Sequence, residues 1–120
     1  MEKRNLRSVL KINENVKIAT GIKAYKDGLI SNIDRVAPFI ETLMRMYLDG
    51  KLEDIVKKVD NYKSDSVIRT SHIDKTLKND FAISAYDNGL IKSPRYAVRL
   101  IEDIMRIYIK GELDKILKDA

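Results

Sequence analysis

The chain of 120 residues contains no cysteine, which excludes disulfides, thiolate nucleophiles and cysteine-ligated zinc together. It has one histidine, His72. A metal site needs several convergent nitrogen, oxygen or sulfur ligands, so a lone imidazole does not build one. His72 reads instead as a surface residue at a helix start. No stretch approaches about 18 uninterrupted apolar residues, so no membrane-spanning helix is expected. Residues 1–7 (MEKRNLR) lack the apolar run of a secretory signal, and with the absent cysteines this points to a cytoplasmic protein. No phosphate loop, dinucleotide fingerprint, nucleophile elbow or zinc-helix motif is present. No nucleophile or base can be paired with an orienting partner. The expectation is a protein that is not an enzyme, with no catalytic residues, cofactor or metal.

What is present is a globular composition, 44% hydrophobic and 34% charged, with 23 basic against 18 acidic side chains and a net charge of +5. A chain of this length fits one domain, residues 1–120, with a core that needs no staple. The excess of base admits nucleic acid as a partner, but the acids are interspersed and the long-range field is moderate.

Residues 24–59 (AYKDGLISNIDRVAPFIETLMRMYLDGKLEDIVKKV) align without a gap on residues 85–120 (AYDNGLIKSPRYAVRLIEDIMRIYIKGELDKILKDA) at a constant offset of 61. Of 36 positions 14 are identical, and most of the rest exchange one apolar residue for another. This reads as an internal repeat, unit one spanning 6–59 and unit two 67–120, with a polar joint at 60–66 (DNYKSDS). Apolar residues Val9, Ile12, Val16, Ala19 and Ile22 in one copy, and Ile73, Leu77, Phe81 and Ala85 in the other, recur at helical steps. Ser71 with Asp74 resembles a capping box. Asp27-Gly28 and Asn88-Gly89 then stop that helix.

The second helix of unit two has Ser93 as N-cap and Pro94 at its first position. In unit one Asn32 holds the equivalent place, and Pro38 predicts a kink or a later start. A third short helix is expected after Gly50 and after Gly111. The fold class that follows is all-α, two tandem three-helix units packed as one pseudo-twofold helical domain. Along the second helix the charges Arg99, Glu102, Asp103 and Arg106 form one narrow stripe, matched by Glu41, Thr42, Arg45 and Asp49. A helix with a single polar stripe is surrounded on most sides. The second helices should therefore pack on each other or form a dimer interface. Glu41 with Arg45, and Glu102 with Arg106, have the spacing of helix-stabilising surface pairs.

Tyr25, Tyr86, Tyr47 and Tyr108 fall at helical spacing and suit a core edge with the hydroxyl reaching solvent. Two functional readings follow. One is a non-catalytic regulatory protein that binds another protein, or itself as a homodimer, through helix faces, with Arg45 and Arg106 as candidate contacts. The other is a small basic DNA-binding regulator using residues 92–99 (KSPRYAVR), where Lys92, Ser93, Arg95, Tyr96 and Arg99 surround a helix start suited to phosphate. Lys3, Arg4, Arg7 and Lys11 form a second basic patch. Ala85, Gly89, Leu90 and Val98 are spaced as in a DNA-binding helix-turn-helix. Asn88 and Arg95 break that pattern where it buries apolar side chains, and membership is not assigned.

Overall fold

The first helix of each half starts later than the apolar spacing suggests, because an extended segment occupies the residues before it. A computed structural model describes residues 7–63 and 67–119. Strand β1 runs Arg7–Asn13 and strand β2 runs Ile68–Asp74. They pair antiparallel from Arg7↔Asp74 to Asn13↔Ile68, with Leu10 opposite Ser71 at the centre. The fold is thus mixed α/β, and the expectation of an all-α pair of three-helix units is overturned. Val9 and Ile12 are three residues apart, which a helix and a strand both tolerate. What decides is the alternation: Leu10, Ile12, Ser71 and Ile73 are buried, while Arg7, Val9, Lys11, Ile68, Thr70 and His72 are exposed. Side chains of a strand point to opposite faces in turn. Leu6, Ala120 and residues 64–66 of the expected joint lie outside the described residues, as do Lys3 and Arg4 of the N-terminal basic patch.

Each strand passes directly into a helix, α1 (Glu14–Lys26) and α3 (Lys75–Asp87). The caps are Asn13, whose side chain accepts from Val16 N, and Asp74, whose carboxylate accepts from Leu77 N. Ser71 therefore belongs to the strand and Asp74 to the cap, which corrects the capping box. Both helices end as expected: Gly28 and Gly89 take φ of 76° and 75°, a conformation that costs glycine little. Leu29 N and Leu90 N then reach back to Ala24 O and Ala85 O.

Helix α2 (Ala37–Leu48) starts late, with Pro38 in its first turn where a missing N–H costs nothing. In the second half a short 3-10 turn, Pro94–Tyr96, precedes α4 (Ala97–Ile109). Ser93 is extended and its hydroxyl makes no capping bond, so the expected N-cap is corrected. After α4 a short helix α5 (Asp114–Asp119) follows. The corresponding stretch of the first half, residues 49–55, forms only turns. None of the helices is long and apolar enough to cross a membrane among the described residues.

Packing crosses between the halves. Helix α1 lies against α4, α2 against α3, and α2 against α4. Phe39 meets Tyr108 at 4.7 Å between ring centroids, and Tyr47 meets Phe81 edge-on at 5.2 Å. Tyr47 and Tyr108 are buried and do not leave their hydroxyls to solvent. The Tyr47 hydroxyl accepts from Asn88 at 2.8 Å, and Tyr108 donates to Asp27 at 2.7 Å. Lys23 and Tyr108 both bond Asp27 and hold its carboxyl below the usual value. Tyr25 and Tyr86 stay on the surface.

The stripe on α4 is not a solvent face. Glu102 is 1% exposed and Arg99 9%, and Arg99 Nη1 donates to Glu102 Oε1 at 2.8 Å. The other oxygen of Glu102 accepts from Asn13 N at 2.6 Å. Glu41, 8% exposed, accepts from Asp74 N at 2.7 Å and from Arg7 Nη1 at 2.9 Å. The expected pairs of Glu41 with Arg45 and Glu102 with Arg106 are thus replaced, and Arg106 donates to Asp103 at 3.0 Å. Each buried carboxylate of a second helix holds the strand–helix junction of the opposite half.

Breaking a buried ion pair by removing one partner costs about 3–5 kcal/mol. Glu102→Ala is expected to cost that much in urea denaturation. Glu41→Ala should cost clearly less, because Arg7 keeps half its surface in water. Equal losses in the two variants would contradict the assigned difference in burial.

Candidate nucleic-acid interface

A two-stranded ribbon with one face on the core leaves the other to solvent, and here that outer face carries both polar and apolar side chains. From β1 it presents Arg7, Val9 and Lys11, and from β2 Ile68, Thr70 and His72. All six are exposed. The acid at the end of this face, Asp74, is engaged as a helix cap. Cross-strand neighbours are Val9 with His72 and Lys11 with Thr70, so two donors and two methyl-bearing groups sit together at the middle.

Cations flank the ribbon on both sides. Lys17 Nζ donates to Thr70 O at 2.8 Å, and Lys78 Nζ donates to Val9 O at 2.9 Å and to Ser8 Oγ at 3.1 Å. Each lysine comes from the first helix of one half and holds the strand of the other. Arg69 reaches Glu14 at 3.0 Å. Burial, and next the positive charge of Arg69, pull the Lys17 ammonium below the usual lysine value. Arg69 thus adds positive charge at this edge, and Asp34 opposes its effect on Lys17. A shallow hollow lined by Lys17, Asp34, Arg35, Pro38, Thr70 and His72 continues the face toward the start of α2.

The residues around the 3-10 turn form a different cluster. Tyr62 and Tyr96 pack edge-on at 4.6 Å, and Lys92 Nζ lies 4.4 Å from the Tyr62 ring and 5.0 Å from the Tyr96 ring. Arg95 stacks on Tyr96 at 4.7 Å and donates to its hydroxyl at 2.6 Å. Ser93 is half-buried beside them. Arg99 is not part of this surface, since it turns inward to Glu102. Arg99 and Arg106 instead line one small recess with Asp103 and Asn61. Burial raises the Asp103 carboxyl above its usual range, against the opposing effect of Arg106. Arg45 is exposed on α2. Among the described residues, a wide recess of about 610 Å³ mixes Lys57, Lys58, Arg106 and Lys110 with Asp54, Asp60, Asp103 and Glu112, and its balanced charge singles out no ligand. Among the described residues, no three histidine, aspartate or glutamate side chains gather where they could hold a metal ion.

Sequence reasoning found Arg7 and Lys11 as base-rich positions and His72 as a surface residue, but missed Val9, Ile68 and Thr70 as members of one face. The available signal was the β-branched density of VIRT at 67–70. No protein-family model matches the chain, and no curated protein or solved structure matches it.

Replacing Arg69 with alanine removes one of the effects that depress Lys17. The Lys17 titration midpoint, followed by NMR of its side chain, is expected to rise in that variant. An unchanged midpoint would contradict the effect assigned to Arg69 at this edge.

Proposed function

We propose that the protein is a DNA-binding regulator that inserts the β1–β2 ribbon into the major groove of duplex DNA. The observation that carries this reading is the open outer face of the ribbon, with Arg7, Lys11, Thr70 and His72 as hydrogen-bonding groups and Val9 and Ile68 as apolar ones. The major groove, about 12 Å wide, admits a two-stranded ribbon as readily as a helix. Lysine and arginine suit guanine acceptors, and valine, isoleucine and threonine methyls suit the thymine methyl. Lys17, Lys78 and Arg69 stand at the flanks, where groove-bound ribbons meet phosphate. The net charge of +5 supplies the non-specific attraction. This reading moves the interface from the helix start at residues 92–99 to the ribbon, since Arg99 is buried and Ser93 caps nothing.

A second reading, binding of another protein or of a second copy, keeps one supporting observation. Ile18, Ile22 and Tyr25 on α1, and Ile83 and Tyr86 on α3, are large apolar groups left on the surface. The second helices, by contrast, spend their apolar faces inside one chain.

Fluorescence anisotropy on a duplex library tests the first reading. Affinity is expected to fall steeply with salt, and Lys11→Ala to weaken a preferred site by about 1–3 kcal/mol. Lys17→Ala or Lys78→Ala should lower the salt slope by about one. Binding lost on Arg95→Glu and kept on Lys11→Ala would return the interface to the helix start and reject the ribbon.

A further inference from the structure

Resting on the ribbon as the reading surface, we infer that its preferred duplex site lacks twofold symmetry, with Lys11, His72, Thr70 and Arg7 setting the difference between the halves. Any antiparallel pair of strands has a local twofold axis normal to the ribbon. In this ribbon of seven pairs the axis passes between Leu10 and Ser71, the central pair. Rotation about it places Arg7 on Ile68, Val9 on Thr70 and Lys11 on His72, as the register dictates. Where a protein's twofold is exact, its DNA site is palindromic, because the duplex has local dyads of its own.

Here the exchanged side chains differ in chemistry at every outer position. Lys11 is a donor only and suits the guanine O6 and N7 acceptors, whereas a neutral His72 offers one donor and one acceptor. Arg7 commits Nη1 to Glu41 and turns its remaining guanidinium donors to a base, and Ile68 in its symmetry position offers only apolar contact. Val9 and Thr70 share a shape, and the threonine adds a hydroxyl. One end of the ribbon therefore presents Arg7, Val9 and His72, and the other presents Lys11, Thr70 and Ile68. The guanine-seeking groups Arg7 and Lys11 sit at positions that the axis does not exchange, so their preferred guanines fall at non-equivalent places in the two half-sites. Both strands belong to one chain, so a single copy presents this asymmetric face without a second.

The experiment is selection from a random duplex library with the full chain, followed by sequencing. The wild type is expected to enrich one non-palindromic consensus. Lys11→Ala should lower the preference for one guanine at least tenfold and leave the other half-site unchanged. The triple variant Ile68→Arg, Thr70→Val, His72→Lys makes the two strands alike on the outer face and should enrich a palindrome. All three positions are exposed, and circular dichroism verifies the fold. If the triple variant fails to fold, the asymmetric effect of Lys11→Ala decides alone. A palindromic wild-type consensus that ribbon substitutions abolish would overturn this inference and leave the ribbon interface standing. Enrichment indifferent to ribbon substitutions, or none at low salt, would overturn both.

Discussion

Two buried carboxylates organise this molecule. Glu41 and Glu102 stand at the same place on their helices, 61 residues apart, and each accepts the backbone N–H at the strand–helix junction of the opposite half. A carboxylate in an apolar interior is costly unless hydrogen-bonded and paired. Arg7 and Arg99 complete the pairing. The charge partner comes from the carboxylate's own half, but the backbone N–H comes from the other, with α4 over the end of β1 and α2 over the end of β2. The neighbouring contacts follow the same crossing. Tyr47 meets Asn88 and Tyr108 meets Asp27, while Lys17 holds Thr70 and Lys78 holds Val9.

The crossing explains how so short a sheet is held. A two-stranded ribbon alone is marginal in water. Here Leu10, Ile12 and Ile73 are buried on its inner face, the carboxylates fix both ends, and two lysines clasp the outer edges. Gly21 serves the same assembly, since a Cβ there would meet Ile33 O at 2.7 Å and Val36 Cγ2 at 2.9 Å. The second half has Ala82 at the matching position.

Much of the helical framework was legible from residue order. Gly28 and Gly89 end the first helices, Pro38 delays α2, and the second helices pack on each other, as spacing and turn chemistry require. The strands were not legible for a physical reason. Val9, Ile12 and Val16 satisfy a helical period across a boundary where the chain is a strand for the first two and a helix for the third. Seven residues are too few for period two to outweigh a helical run that continues after them. The polar stripe misled in a similar way. Glu102 and Arg106 have the spacing of a surface pair, but nothing in local sequence reveals that Asn13 N, 89 residues away, claims the carboxylate. Long-range polar partners are invisible to local pattern. At the candidate interface the basic residues 7 and 11 could be seen, whereas their union with 68, 70 and 72 needed the pairing register.

The positions that differ between the halves are not scattered. Glu41 matches Glu102, Tyr47 matches Tyr108, and Lys17 matches Lys78, and each of these is a lock between the halves. Arg7, Val9 and Lys11 face Ile68, Thr70 and His72 across the offset, and these touch solvent. The two carboxylates accept backbone N–H groups whose loss would leave an unsatisfied donor, whereas the exposed partners of the two tyrosines, Asp27 and Asn88, differ between the halves. Apart from Arg7, which pairs with Glu41, the outer ribbon side chains answer to no internal partner, so their identity costs the fold little. The same contrast separates Arg35 from Tyr96 and Asn32 from Ser93 before the second helices. Interior constraint and surface freedom together allow one stable scaffold to offer two unlike ends to a ligand.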